Sequence, residues 1–185
     1  MKQQHIVCLT FDFDALSGWI AKGHTTPTPI SRGEFGAIGA NRILQLLARY
    51  DIHATWFIPG VTIATYPEIC QSIVKHGHEI GHHGWTHTPP AQLSRDEEAE
   101  ELGRANQEIK KLWGKTATGY RSPSWDLSQN TIELLLEHGF VYDSSMMGND
   151  HIPYWARVGD IIYDDKPPIF GKLSKLLEMP ISWTL

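Results

Sequence analysis

The sequence predicts an α/β fold in which parallel strands alternate with crossover helices. Short apolar runs typical of buried strands alternate along the chain with longer segments of helical periodicity. Polar residues follow several of these runs directly, as where Asp12 and Asp14 come after the first one. In a parallel barrel or an open parallel sheet, such strand ends share one face, where active sites are built.

In the first half of the chain, the sequence predicts two strands, two helices and one long loop. Ile6–Phe11 is apolar and β-branched, so we expect a buried strand. Gly18–Phe35 is rich in Gly, Thr and Pro and shows neither period, which predicts a long loop. Ile38–Tyr50 places apolar residues on one helical face. Ala54–Pro59 predicts a second strand, and Tyr66–His76 a helix with proline in its first turn.

The second half continues the alternation. His78–His82 predicts a third strand, and Ser94 with Glu97 forms a capping box that opens a charged helix, Asp96–Trp113. Residues 147–170 are irregular, with room for a short strand at Asp160–Tyr163. The other predicted elements are strands at Thr118–Arg121, Phe140–Asp143 and Glu178–Trp183, a helix at Ser128–His138, and one or two helical turns at Leu173–Leu177.

Length and composition narrow the class of protein. The 185 residues, seven of them Trp, predict a single domain, 1–185, with a real core. A net charge of −5 without a Lys/Arg run argues against a nucleic-acid partner. No apolar stretch approaches the roughly 18 residues of a membrane span, and the N-terminal apolar run is too short for a signal peptide, so we expect a cytoplasmic protein. Cys8 and Cys70 lie among apolar residues and predict buried free thiols.

A histidine cluster is the strongest chemical signal in the chain. Five of the ten histidines fall within His76–His87. His83 and His87 are four apart, so on a helical turn both rings would face one ion, although His78 and His82 share that spacing. Two imidazoles and a carboxylate suit Zn²⁺ or a similar divalent metal and leave coordination positions open. The competing interpretation is that these histidines cap strands and helices or face solvent.

Asp12 and Asp14 are the candidate carboxylates. If this stretch stays extended, both side chains leave on the same side, so one could bind metal while the other stays free as a general base. The alternative is an ordinary helix or turn N-cap. Arg121 could hold a carboxylate by a bidentate pair or form a surface salt bridge. Trp85 and Trp125 lie near loops and could stack on a sugar or pack in the core.

Three motifs in order resemble those of the polysaccharide deacetylases, carbohydrate esterase family four. The family's T-F-D-D-G is similar to Thr10–Ala15, its H-E-I-G-N-H-[ST]-x-x-H to His78–His87, and its R-x-P to Arg121–Pro123. The resemblance covers about Ile6–Trp183 and implies a distorted (β/α) barrel of parallel strands. It also implies metal-dependent hydrolysis of an amide, typically the N-acetyl group of an amino sugar.

The resemblance further implies roles for single residues. Asp12 would be the general base, Arg121 would orient it, and the metal ligands, with Zn most expected, would be the remaining three motif residues: Asp14, His83 and His87. A backbone N–H near Ser124 would stabilise the oxyanion, with Trp125 and Trp85 as further substrate-binding candidates. The family's final L-x-H motif, a source of the histidine acid, is not found before Leu185, so we expect the barrel to be incomplete at the C-terminus or the acid to come from elsewhere.

Departures from the family pattern keep other functions open. Asp12-Phe13-Asp14 and Gly84 resemble a subgroup that includes peptidoglycan-deacetylase-like proteins and enzymes acting on cyclic imides or allantoin. The substrate is therefore expected to be an N-acetylated saccharide or a small cyclic amide. Two alternative functions come from other classes of protein: a catalytically weak carbohydrate-binding domain and a non-haem iron oxygenase. The sequence also leaves open whether the protein forms a homo-oligomer.

Overall fold

The computed structural model describes residues 6–182. Within that range, seven strands form one sheet in the order β1-β2-β3-β4-β5-β7-β6. The strands are β1 Thr10–Asp12, β2 Thr55–Ile58, β3 Glu79–His82, β4 Gly119–Tyr120, β5 Tyr142–Asp143, β6 Tyr154–Val158 and β7 Lys172–Glu178. All neighbouring strands pair in parallel except β6 with β7, which are antiparallel. The predicted α/β class with a mostly parallel sheet is confirmed.

Six α-helices accompany the sheet within the same residues. They are α1 Ser17–Ala21, α2 Pro27–Arg49, α3 Gly60–Thr65, α4 Pro67–Lys75, α5 Arg95–Trp113 and α6 Thr131–Glu137. The capping box of α5 is confirmed, since the Ser94 side chain accepts from Glu97 N and the Glu97 side chain accepts from Ser94 N. None of the helices in residues 6–182 combines the length and apolar character needed to span a bilayer.

The sheet is strongly curved. Arg121, which follows β4, donates a hydrogen bond to Thr10 Oγ1 on β1, although β2 and β3 lie between those strands. In a flat sheet, three strand spacings of about 4.8 Å would separate the two strands by roughly 14 Å. The curvature therefore brings the carboxyl ends of β1 and β4 together. The strand order nevertheless stays open, so the seven strands between residues 6 and 182 do not close a barrel.

The core lies between the curved sheet and its helices. Its largest fully buried side chains include Trp56 and Ile58 from β2, Ile80 from β3, and Leu102 and Ile109 from α5. All five belong to one apolar cluster. These strands are buried apolar runs, as crossover topology requires, because helices cover the faces of a parallel sheet.

The predicted loop at Gly18–Phe35 is wrong. The short helix α1 occupies its start, and α2 begins at Pro27, eleven residues before the predicted helix at Ile38. The physical reason lies in Gly33, which suggested a loop. A Cβ at Gly33 would lie 2.5 Å from Leu16 Cα, so the missing side chain allows α2 to pack directly against the backbone before α1.

The N-terminal strand is shorter than predicted. Residues 6–9 are not in a strand, and Ile6 and Val7 are exposed. Because β1 is an edge strand paired only with β2, the chain before Thr10 is not covered on both sides. Cys8 is consequently exposed, contrary to prediction, whereas Cys70 is buried as expected, and both thiols are free.

The C-terminal predictions also need correction. Leu173–Leu177, expected to be helical, lies within strand β7. Pairing with β6 from Lys172 to Glu178, and with β5 at its C-terminal end, outweighs any helical preference. The expected strand at Glu178–Trp183 contributes only Glu178, residues 179–182 are not in a strand, and Trp183 lies outside the described residues. Within Asp160–Tyr163, Ile161 forms a single bridge with Ile169.

Candidate active site

Asp14, His83 and His87 converge at the carboxyl ends of β1 and β3. His83 Nε2 lies 3.3 Å from Asp14 Oδ1, and His87 Nε2 lies 3.5 Å from Asp14 Oδ2. One ligand atom from each residue lies within 4.8 Å of the other two. Two imidazole nitrogens and a carboxylate at these separations fit a divalent cation with open coordination positions.

The two histidines converge through a loop, and the helical turn expected for them is wrong. The chain leaves β3 at His82, and both Gly84 and His87 have positive φ, 71° and 66°. The loop is tied to the start of α3 because Gly60 N donates to Gly84 O and Val61 N to Trp85 O. Glycine at position 84 permits the left-handed backbone, and a Cβ there would approach Pro123 Cγ to 3.0 Å.

The hydrogen bonding of His83 shows why a cation fits. His83 Nδ1 donates to Arg121 O at 2.6 Å, which directs Nε2 toward Asp14. Asp14 Oδ1 and His83 Nε2 are both buried and have no hydrogen-bond donor among the described residues. A lone pair on Nε2 facing a carboxylate oxygen is unfavourable unless a positive charge lies between them.

The pKa shifts reflect the same demand for positive charge. Burial acts to lower the pKa of His83, but the close approach and negative charge of the Asp14 carboxylate outweigh it and raise that pKa. Burial acts to raise the pKa of Asp14, but the close approach and charge of His83 outweigh it and lower that pKa. At His87, burial dominates and lowers the pKa, which favours the neutral imidazole that can bind metal.

Arg121 organises a second cluster beside these three residues. Its guanidinium donates to Asp12 Oδ1 at 2.7 Å, to Thr10 Oγ1 at 3.0 Å, and to Ser144 O and Oγ at 3.1 and 2.8 Å. The side chain is buried, with its carbon Cζ 4.2 Å from the centroid of the Phe57 ring. Arg121 therefore forms a buried network in which a single nitrogen, rather than a bidentate fork, holds Asp12.

Asp12 occupies the end of β1 with its side chain one-quarter exposed. Phe13, between the two aspartates, is buried, and its backbone N donates to Phe57 O, so the stretch stays extended. In such a stretch, residues two apart leave on the same side, which is the arrangement predicted for Asp12 and Asp14. The charge of Asp12 also acts on both His83 and His87.

A cleft of about 470 Å³ opens beside the cluster. Its lining includes Asp14, Trp19, His87, Gln92 and Ser124. Ser124 belongs to a 3₁₀ turn at Pro123–Trp125 and has a left-handed backbone with φ of 59°. Such a conformation costs a non-glycine residue about 1 kcal/mol or more and is often found at functional sites.

The two predicted tryptophans differ in their surroundings. Trp125 is 41% exposed in the turn next to Ser124. Trp85 packs so closely on Gly60 that a Cβ there would lie 2.4 Å from its ring, and the Arg104 guanidinium stacks 3.7 Å from its centroid. These contacts place Trp85 in the packing between α3 and α5, and its assignment to substrate binding stays a prediction.

Several residues around Arg121 were not predicted from the sequence. Thr10, Phe57 and Ser144 contact its guanidinium, and each comes from a different strand or strand end. Trp19 lines the cleft from α1, a helix that was expected to be loop. The available signal was the polar run Asp143-Ser144-Ser145 at the end of the predicted strand Phe140–Asp143, to which no role was assigned.

Comparisons with known proteins show the family to which the chain belongs. A family model described as polysaccharide deacetylase matches residues 2–142. The peptidoglycan deacetylase of Helicobacter pylori is 42% identical over 198 residues, which cover 100% of this chain and 68% of that protein. A crystal structure from Mycobacterium smegmatis, assigned to the polysaccharide deacetylases, is 33% identical with a TM-score of 0.79, over 95% of this chain and 58% of that one.

A third comparison concerns the fold alone. The crystal structure of the allantoinase PuuE has a TM-score of 0.72 at 23% identity, over 96% of this chain and 61% of that one. The chain spans 58% to 68% of the length of the three proteins compared. With the family match covering well over half of its residues, the chain belongs to the polysaccharide deacetylase family, hydrolases that act on carbon–nitrogen bonds other than peptide bonds.

Proposed function

We propose that this chain is a metal-dependent deacetylase that removes the N-acetyl group from an amino sugar in peptidoglycan or a related polymer. The observation that carries the proposal is the pair of buried, donor-free atoms Asp14 Oδ1 and His83 Nε2, which face each other beside His87. We take residues 1–185 as one catalytic domain. The similarity to the Helicobacter pylori peptidoglycan deacetylase supports the substrate class.

Zinc is the proposed ion, held by Asp14, His83 and His87. Two nitrogen ligands and one carboxylate are typical of catalytic zinc sites, and hard cations such as Mg²⁺ prefer all-oxygen sets. His83 is prepared for this role because its Nδ1–H is already donated to Arg121 O. When bound, the ion would supply Lewis acidity, polarising the acetyl carbonyl and lowering the pKa of a water molecule.

Asp12 is the proposed general base. Arg121 engages its Oδ1, and we assign Oδ2 to accept the proton of the attacking water. Thr10 and Ser144 fix the guanidinium, so the carboxylate of Asp12 cannot rotate freely. Holding the base in one rotamer saves orientational entropy on the way to the transition state.

The cleft supports a binding role for the turn at Pro123–Trp125. Ser124 lines the same cleft as Asp14 and His87, and we assign its backbone N–H to the oxyanion that forms as water attacks. Trp125, half exposed beside it, offers an aromatic surface on which a sugar ring could stack.

The test is acetate release by the purified, zinc-loaded chain from N-acetylglucosamine oligomers and peptidoglycan fragments. We expect acetate and a free amine in equal amounts, activity lost in D14N, and activity retained in H151A, which removes an exposed histidine paired with Asp150. Hydantoin and succinimide serve as alternative substrates. Acetate release equal to that of a metal-stripped sample, or turnover of the cyclic amides alone, would refute the proposal.

A further inference from the structure

Two carboxylic acids face each other in the interior, outside the three-residue metal group. Asp143 ends β5 and Glu178 ends β7, and they are direct partners in the parallel register of those strands. Both residues are completely buried. A buried carboxylate normally needs a cation or several hydrogen-bond donors, so two adjacent ones require an explanation.

In each of the two acids, one carboxyl oxygen accepts hydrogen bonds and the other has no donor among the described residues. Glu178 Oε1 accepts from Ser145 N and Met146 N, both at 3.0 Å, and Asp143 Oδ1 accepts from Ser145 Oγ at 2.6 Å. Asp143 Oδ2 and Glu178 Oε2 are buried and have no donor among the described residues. A single proton between these two oxygens would satisfy both and halve the buried negative charge.

Glu178 is the member that would carry the proton. Burial, followed by the negative charge of Asp143, raises its pKa to about 9. Burial also raises the pKa of Asp143, but hydrogen bonds from Glu178, from Ser145 and from neighbouring backbone groups oppose that rise. Glu178 Oε2–H would thus donate to Asp143 Oδ2, and Asp143 would remain the ionised partner.

Two serines connect the acid pair to the candidate active site. Ser145 Oγ donates to Asp143 and accepts from Ser122 N at 2.8 Å, next to the turn that contains Ser124. Ser144 holds Arg121 through its carbonyl and hydroxyl oxygens, and its hydroxyl donates to the carbonyl of Met179, the residue after Glu178. The corner at Ser144–Ser145 is therefore anchored on both sides by the ends of β5 and β7.

We propose that Asp143 and Glu178 share one proton and together act as positioning residues for Arg121 and the turn after Ser122. The proposal rests on the proposed deacetylase function only for its catalytic consequence. If the shared proton is lost, two adjacent carboxylates repel each other, the corner at Ser144 shifts, and Arg121 loses part of its hold on the general base Asp12.

The two tyrosines beside the pair stay neutral near pH 7. Tyr120 on β4 and Tyr154 on β6 both have raised pKa values, chiefly through burial, with the charge of Asp143 contributing. Arg121 is the cation of this corner, and its guanidinium contacts Ser144. Helix α6, which packs on β6 and β7, has buried leucines, and its Glu137 pairs with Arg95 at the surface.

The first experiment counts protons. Between about pH 4.5, the usual pKa of a Glu carboxyl, and about pH 9, the folded state binds one proton that the unfolded state does not, so stability falls as pH rises through this window. The pH dependence of urea unfolding near pH 7, measured on zinc-loaded protein, gives the number of protons released. We expect that number to fall by one in E178Q and in D143N, because each amide replaces the shared proton with its own hydrogen.

The matched control is E98Q. Glu98 is also buried, but each of its two carboxyl oxygens accepts from a hydroxyl group, that of Ser128 or that of Thr131. Its replacement should leave proton release near pH 7 unchanged. Equal proton release by E178Q and the wild type would overturn the shared proton. This measurement needs no substrate, so it stands even if the wild type shows no turnover, a result that would refute the proposed function alone.

The second experiment tests positioning through the pH profile of kcat. We expect the wild type to lose kcat with an apparent pKa near 9, and E178Q and D143N to shift that loss upward by at least one pH unit. At pH 7, E178A should lower kcat at least tenfold with KM changed less than twofold, and E178Q should restore most of the loss. The positioning role would be overturned if kcat fell at the same alkaline pH in the wild type and in all variants. It would also be overturned if E178A changed KM and left kcat unaltered.

Discussion

Replacing Arg121 with lysine tests whether the guanidinium holds the candidate base through its geometry or only through its charge. Arginine makes four hydrogen bonds here, to Asp12, to Thr10 and twice to Ser144. A lysine ammonium is a single point donor on a flexible stem and cannot reach partners on β1 and after β5 at the same time. We therefore expect R121K to keep the ion pair with Asp12 and to lose about two of the four hydrogen bonds.

The size of the effect follows from those contacts. Two lost hydrogen bonds from a charged donor, at about 1.5 kcal/mol each, give a loss of about 3 kcal/mol in the free energy of unfolding. For a domain of this length, that corresponds to a fall in Tm of roughly 6–12 °C. The cation–π contact with Phe57 is not counted, because lysine can retain one. A displaced general base should lower kcat by roughly 10- to 100-fold.

The assay combines urea unfolding, zinc content and steady-state kinetics. Zinc content should not change, because His83 bonds to the backbone carbonyl of Arg121, which the substitution leaves in place. The control is R95K, at a half-exposed pair with Glu137 where we expect less than about 0.5 kcal/mol. If R121K unfolds like the control, or loses its zinc, the assignment of Arg121 as an anchor of Asp12 through this network is refuted.

Three further predictions test the metal, the sheet and the thiols. Zinc at 100 times its Kd should stabilise the wild type by about 2.7 kcal/mol, and D14N should lose this increment, as measured by Tm with and without chelator. G119A should lower the free energy of unfolding by about 1–3 kcal/mol in urea titrations, since its Cβ would lie 2.0 Å from Tyr142 Cζ. A thiol reagent should label Cys8 in the native state and Cys70 only after unfolding, since burial raises the pKa of Cys70 to about 12.

The prediction for G119A has a matched control, and each of the other two has an outcome that would contradict it. G103A, in α5 where no atom lies within 4 Å of a new Cβ, should stabilise the protein by about 0.5–1 kcal/mol. Destabilisation by G103A equal to that of G119A would show that close packing is not the cause. Chelator-dependent unfolding in D14N would contradict the ligand assignment, and native labelling of both thiols would contradict the burial of Cys70.

The part of the candidate site that could be anticipated consists of residues close together in the chain. Asp12 and Asp14, and likewise His83 and His87, belong to short segments at strand ends, and parallel topology brings such ends to one face. Their convergence could be inferred without coordinates. The helical turn assumed for the histidines was wrong because spacing alone does not distinguish a helix from a loop with left-handed residues at Gly84 and His87.

The errors in secondary structure arise where tertiary contacts outweigh local preference. Gly33 and its glycine-rich surroundings suggested a loop, yet the absent side chain is what lets α2 pack against Leu16. Lys172–Glu178 has a sequence that suits a helical turn or a strand, and pairing on both sides decides for the strand. In both segments, the deciding partner lies elsewhere in the chain, so no local window contains it.

The network around Arg121 marks the limit of inference from sequence most clearly. Its partners Asp12 and Thr10 are 109 and 111 positions away, and they meet it only because the sheet curves. Glu178 is a similar case, because it lies in a segment predicted as a junction between a helical turn and a strand. The resemblance already implied that Arg121 orients Asp12, but curvature is a property of the whole sheet. The partners Thr10 and Ser144, which hold Arg121 in place, could therefore be identified only once all the strands were in place. For this reason, the convergence of Asp14 with His83 and His87 could be inferred from the sequence, while the contacts that hold Arg121 against Asp12 required the structure.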